Sequence, residues 1–250
     1  MTGTRPIPPP SVQLYSVRDA LADDPAGTLR RIAEIGFTRV EPYDLPAHAD
    51  MLRDELPRNG LAAPTAHAAL LNADSATVFA TAASLGVGIV IEPCVPAERW
   101  TDPVDVAATA DGLNALVPVA ADHGLAVGYH NHWWELAHRH NGRTALELLA
   151  DRLDPAVVLE VDVYWAAAGG ADTPALLGRL GERVHAIHVK DGDPNRNGDG
   201  QVPPGQGRIP IGAVLAAAGT ALPVVEFDHY DGDIFTGLAA GLAQLLGGIS

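Results

Sequence analysis

The 250-residue, 26.0 kDa chain carries 31 acidic against 16 basic residues, a formal net charge of -15 at pH 7. α/β barrels of this length fold without splitting, so one domain is expected, and an acidic field of this size repels a phosphate backbone and argues against nucleic acid as a partner. Cys94 is the only cysteine, which excludes an internal disulfide and a zinc-thiolate cage and fits a reducing compartment. Residues 1–10 read as a Pro-rich polar arm with no apolar segment of the signal-peptide kind, and no uninterrupted apolar run is long enough to cross a membrane. A cytoplasmic protein without membrane association is expected.

In chain order, 11–16 alternates Val12 and Leu14 with polar residues and predicts a first strand. A helix over 25–35 follows, with Pro25 at its first turn and Gly36 closing it. The same reading gives strands at 37–41, 61–67 and 87–92, separated by helices at about 47–58 and 75–85. These strands start roughly 25 residues apart, the step of a βα repeat. The second half continues with a helix at about 104–123, a strand at 125–131, a helix at about 144–153 and a strand at 157–162. A helix near 174–180, a strand at 184–189, a helix near 212–219, a strand at 223–228 and a helix at about 235–246 complete it. Eight mostly apolar strands alternating with eight helices predict an all-parallel sheet buried on both faces, hence a closed (β/α)8 barrel over 11–250. An open doubly wound sheet is the alternative, but the first βα turn has no G-x-G-x-x-G.

Nearly every predicted strand ends in a polar or titratable group: Tyr15, Glu41, His67, Glu92, His130, Asp162, His188 with Lys190, and Glu226. Active sites form at this end of a barrel. So many carboxylates in one mouth repel one another unless a cation neutralises them. Asp162, His188 and Glu226 stand on successive strands, and with Glu135 they make a set of three oxygens and one nitrogen suited to Mn2+, Mg2+ or Co2+, with Zn2+ also admissible. Taken singly, each has a plainer explanation: a capping aspartate, a satisfied core histidine or a paired carboxylate. In Tyr129-His-Asn-His132 the pleat turns His130 and His132 to one side and Asn131 to the other. One imidazole then suits a general base and the other a substrate contact. Trp165, with Tyr164, Trp133 and Trp134, suits a wall for a sugar ring, and Lys190 suits an oxyanion partner or a salt bridge. The loop 191–207 lacks the terminal glutamate of a calcium loop and reads as a mobile flap over the site.

These motifs resemble the sugar phosphate isomerase/epimerase family of xylose isomerase-like TIM barrels, which includes inosose dehydratases, ketose 3-epimerases and the catalytic subunits of C-glycoside deglycosidases. The likeness runs through Gln13-Leu-Tyr-Ser-Val-Arg18, Val40-Glu41, His67, Tyr129-His-Asn-His132 with Glu135, Leu159-Glu-Val-Asp-Val-Tyr-Trp165, His188-Val-Lys-Asp191 and Val225-Glu226. The resemblance implies a divalent metal, Mn2+ favoured, held by Glu135, Asp162, His188 and Glu226. Epimerases of the family carry a glutamate inside the fifth strand, where this chain has Gly128-Tyr129-His130, so His132 becomes the expected base. Lys190 and Glu41 complete the expected catalytic set, and Tyr15, His67, His130, Trp165 and Glu92 the expected substrate contacts. The expected activity is isomerisation, epimerisation or elimination on a keto-sugar, 3-keto-glycoside or keto-cyclitol through proton abstraction beside a carbonyl. A non-catalytic sugar-binding barrel and an endonuclease IV-like zinc phosphodiesterase are the rivals, and self-association is left open.

Overall fold

The computed structural model describes residues 8–247. Most of the expected N-terminal arm, 1–7, lies outside the described residues. Eight parallel strands form the sheet: β1 (Ser11–Gln13), β2 (Val40–Glu41), β3 (Thr65–His67), β4 (Ile89–Glu92), β5 (Ala126–His130), β6 (Val157–Asp162), β7 (Val184–Val189) and β8 (Leu222–Val225). Their ladder order is β2-β1-β8-β7-β6-β5-β4-β3. The seam between β2 and β3 closes through a parallel bridge, Arg39 with Ala62, and through the Val40 amide on the Ala62 carbonyl at 2.9 Å. The chain is thus a (β/α)8 TIM barrel, as its alternation predicts.

The principal helices are α1 (Pro25–Ile35), α2 (Leu45–Arg58), α3 (Ser75–Ser84), α4 (Pro103–Asp122), α5 (Ala145–Arg152), α6 (Thr173–Leu180), α7 (Ile211–Ala218) and α8 (Ile234–Gly247). Asp24, Asp74, Asp102 and Asp172 cap α1, α3, α4 and α6 by accepting backbone amides of the first turn, and a capping box of Thr144 and Glu147 starts α5. Each helix lays its apolar stripe on the sheet, Leu29 and Ile32 from α1, Phe79 from α3 and Leu113 from α4 being fully buried. Burial of side chains of this size stabilises by about 1.5–3 kcal/mol each. Helix α4 is long and apolar enough to cross a membrane by composition alone, yet it packs on α5 as a barrel helix with Asp105 and Asp111 outside its buried face.

Several predicted strands are shorter than expected. β1 stops at Gln13, whose side chain accepts the Tyr15 amide at 3.2 Å and turns the chain into a 3-10 segment over Leu14–Val17. β3 begins only at Thr65 because Pro64 has no N–H to contribute to a ladder.

The pleat then sorts side chains between two environments. Val12, Val40, Ala66, Val90, Tyr129, Leu159, Ile187 and Val225 join the core between sheet and helices. The alternate positions face the barrel axis. At the floor Ala186, Leu222 and Val224 form a separate apolar plug, and above it stand Gln13, Glu41, His67, His130, Glu160, Asp162, His188 and Glu226.

Candidate metal centre and active site

The inward polar residues form two tiers that share His188. In the upper tier, the Lys190 ammonium lies 2.9 Å from Asp162 Oδ2, 2.7 Å from Glu226 Oε2 and 2.8 Å from Asp228 Oδ2. His188 Nδ1 approaches Glu226 Oε2 at 2.5 Å. Asp162 Oδ1 accepts the Trp165 amide at 2.8 Å, which fixes the carboxylate at the start of the short helix Val163–Ala168. Asp162 Oδ2 has no well-directed hydrogen bond although Lys190 Nζ is near, so that contact is charge attraction without donor alignment.

In the lower tier, Glu160 Oε2 receives His67 Nε2 at 2.6 Å, His188 Nε2 at 3.1 Å and His130 Nδ1 at 3.2 Å. Glu41 Oε1 meets His188 Nε2 at 2.7 Å and accepts Gln13 Nε2 at 2.8 Å, while Thr65 Oγ1 donates to its other oxygen. Apart from Asp228, which is partly exposed, the side chains of both tiers are buried.

The electrostatics follow from this packing. Burial raises Asp162 to about 6 against the opposing charges of Lys190 and His188. Burial works against ionisation of Glu226 too, but Lys190 and His188 outweigh it and hold this carboxyl well below the usual range. Burial opposes the charge on Lys190, and Asp162, Asp228 and Glu226 overcome it and hold the ammonium firmly protonated. His132 is lowered to about 4 by burial and by Lys190, so its imidazole is neutral near pH 7 and can accept a proton.

A cavity of ≈ 420 Å³ opens above the upper tier. Of the residues expected from the sequence, Tyr15, His67, His130, His132, Trp165, Lys190 and Glu226 line it. His132 stacks on Trp134 with ring centroids 4.4 Å apart and planes 4° from parallel. Asn131 turns away and binds the Asp162 backbone, its Oδ1 accepting the amide at 3.1 Å. The expected division of His130 and His132 from Asn131 is therefore observed, although the strand itself ends at His130.

Three expected site residues stand elsewhere. Glu92 shares the outward face of β4 with Val90, and its carboxylate accepts the Leu70 and Leu71 amides at 2.8 and 2.9 Å, so it anchors the loop after β3. Glu135 lies behind the barrel wall. It accepts the hydroxyl of outward-facing Tyr129 at 2.6 Å and the His132 amide at 2.9 Å, and it belongs to neither group of converging donors found among the described residues. Burial raises it to about 8. Glu41 faces inward but is fully buried beneath His188 with both oxygens engaged, and it does not reach the cavity wall.

Glu160, Gln13 and Asp228 have no assigned role in the sequence reading. Glu160 was detectable, because it stands two residues before Asp162 in an apolar strand and the pleat places both on one face. The loop after β7 is held at its two ends. The Asp191 carboxylate accepts the amides of Gly192, Gly205, Gly207 and Ile209 at 2.8 to 3.0 Å, and Gln201 exchanges two hydrogen bonds with Asp228. These bonds tie down both ends of the segment expected to be a mobile flap.

The donors of Asp162, His188 and Glu226 lie within 4.8 Å of one another. With the under-used Asp162 Oδ2 and a mixed carboxylate and imidazole donor set, the group fits a divalent cation.

The family model for xylose isomerase-like TIM barrels matches residues 18–220. A sugar phosphate isomerase/epimerase from Parabacteroides distasonis superposes with a TM-score of 0.79 at 21% identity, covering 94% of this chain and 92% of that one. The probable 3-DHS dehydratase AsbF of Bacillus anthracis, involved in petrobactin synthesis, gives 0.73 at 16% identity over 95% and 98%. The IOLI protein, solved with a zinc atom, gives 0.69 at 16% identity over 95% and 94%. At these identities the likeness establishes the fold. No curated protein matches the sequence.

Proposed function

The chain belongs to the xylose isomerase-like TIM-barrel family, and from that premise we propose that it is a divalent-metal-dependent isomerase, epimerase or lyase that moves a proton beside the carbonyl of an unphosphorylated keto-sugar or keto-cyclitol. The observation that carries this reading is the group Asp162, His188 and Glu226 directly below a cavity whose wall holds a neutral imidazole, His132. A divalent cation held there, Mn2+ by the donor chemistry, supplies polarisation of a carbonyl oxygen.

His132 accepts the carbon-bound proton. Its ring is held by stacking on Trp134, and its Nδ1 is buried without a partner, so Nε2 is the nitrogen offered to a substrate in the cavity that His132 lines. Lys190, kept protonated by three carboxylates, presents its charge to oxygen developing negative character. Trp165 offers an aromatic face to ring C–H groups. Among the described residues no arginine lines the cavity, its one lysine is already ion-paired, and Asp44, Glu226 and Asp228 add negative charge. That balance supports a substrate without phosphate and gives nothing to the phosphodiesterase alternative.

The test is a panel of keto-sugars, 3-keto-glycosides and inososes incubated with protein and Mn2+ in deuterium oxide. Solvent deuterium entering one carbon beside a carbonyl is the expected result. A panel without exchange, from protein verified to contain the metal, would leave the non-catalytic binding barrel as the reading.

A further inference from the structure

We infer that His67, His130, Glu160 and His188 form a second cation site, deeper in the barrel than Asp162, His188 and Glu226 and selective for an ion of the Zn2+ or Co2+ type. The four side chains come from β3, β5, β6 and β7, and their donor atoms all lie within 4.8 Å of one another. Exposures are 7%, 4%, 1% and 0% in that order.

The bonding around Glu160 is lopsided. Three imidazole nitrogens crowd its Oε2 at 2.6, 3.1 and 3.2 Å, while Oε1 of the same carboxylate is buried without any partner. A network of protons alone would spread three donors over two oxygens, since an unpaired buried carboxylate oxygen is costly. Convergence of three nitrogens and one carboxylate suits an ion instead. Ligands about 2.0–2.1 Å from a four-coordinate zinc-type ion stand about 3.3–3.4 Å apart, close to two of the three observed separations.

The two tiers differ in chemistry. The upper offers two carboxylates and one imidazole, the lower three imidazoles and one carboxylate, and nitrogen-rich sets favour zinc-like ions over Mg2+ or Mn2+. His188 turns Nδ1 to the upper tier and Nε2 to the lower. Either nitrogen can serve alone with the other protonated; with both tiers filled the ring bridges two ions and carries no proton. His67 and His130 also line the cavity, which supplies an access route. With only the lower tier filled, the other ring nitrogen, Nδ1, donates its proton to Glu226 Oε2 at 2.5 Å and orients the ring, while the contact of Nε2 with Glu41 gives way to the ion.

The test is Co2+ titration of chelator-stripped protein, reading visible absorption together with bound cobalt. Wild type should take up cobalt with the intense bands of four-coordinate Co2+, and Glu226→Gln, which removes an upper-tier ligand and leaves all four lower-tier side chains in place, should keep them along with one equivalent of metal. Glu160→Gln and His130→Ala should each lose the bands and that equivalent, with far-ultraviolet circular dichroism verifying the fold. The site is refuted if Glu226→Gln binds no cobalt, if the bands survive in folded Glu160→Gln or His130→Ala, or if wild type shows only the weak absorption of six-coordinate Co2+. None of these readouts depends on turnover, so their failure leaves the deuterium-exchange test of function untouched.

Discussion

Replacing Lys190 by methionine removes a buried cation from among three carboxylates while nearly conserving side-chain volume. Lys190 is 1% exposed and lies 2.7 to 2.9 Å from Asp162, Glu226 and Asp228, so solvent does little to screen the loss. Removing one partner of a buried ion pair costs about 3–5 kcal/mol. For a domain of this size each kcal/mol moves Tm by roughly 2–4 °C, giving a fall of roughly 6–20 °C.

The deficit has a pH sign. Asp162 already stands at about 6 with Lys190 present; removal of the ammonium pushes this carboxyl higher still and takes away one of the two charges that hold Glu226 low. The native variant then binds more protons than the unfolded chain at neutral pH, so its stability falls as pH rises from 5 to 8. A divalent ion at one hundred times its Kd returns about 2.7 kcal/mol. Thermal melts at pH 5 and 8, with and without Mn2+, should show the largest loss at pH 8 and a larger rescue by Mn2+ than in wild type. A metal-free variant melting within about 2 °C of wild type at pH 8 would refute the claim that this ammonium holds the carboxylates together.

His132→Gln should lower kcat/KM by about 10²–10⁴ without loss of bound metal. In wild type the acid limb of that parameter should lie near the His132 value of about 4, and a limb near 6.5 would assign the base elsewhere. Glu135→Gln should leave metal content unchanged, since Glu135 stands behind the barrel wall. Its raised pKa of about 8 means that wild-type stability is lost as pH climbs from about 4.5 through 8, so the glutamine variant should gain relative stability over that window in urea unfolding curves. Asp191→Ala deprives four backbone amides of their acceptor, each unmet group costing about 1–3 kcal/mol where it stays buried. Protease cleavage within 192–208 should accelerate and KM should rise, because Gln201 would lose its hold on Asp228.

The alternation of apolar runs with capped helices determined the barrel from sequence alone, because each βα unit writes its own period and punctuation locally. Asp162, His188 and Glu226 were legible for the same reason: each stands at or next to the C-terminal end of an apolar strand. What lay beyond the sequence was which way a polar residue faces once strand ends, bulges and turns are settled. Glu92 and Glu135 carry the right chemistry but stand outside the barrel wall, where a loop amide pair and the Tyr129 hydroxyl engage them. Glu41 is a support for His188 rather than a reacting group because β1, β2 and β7 converge across the axis, a contact between residues 147 positions apart. Glu160 gains its significance only through the pairing of His130 with Glu160 and of Asp162 with His188 across three strands. Local periodicity fixes which elements form, whereas the site is a sum of non-local registers that only the closed barrel specifies.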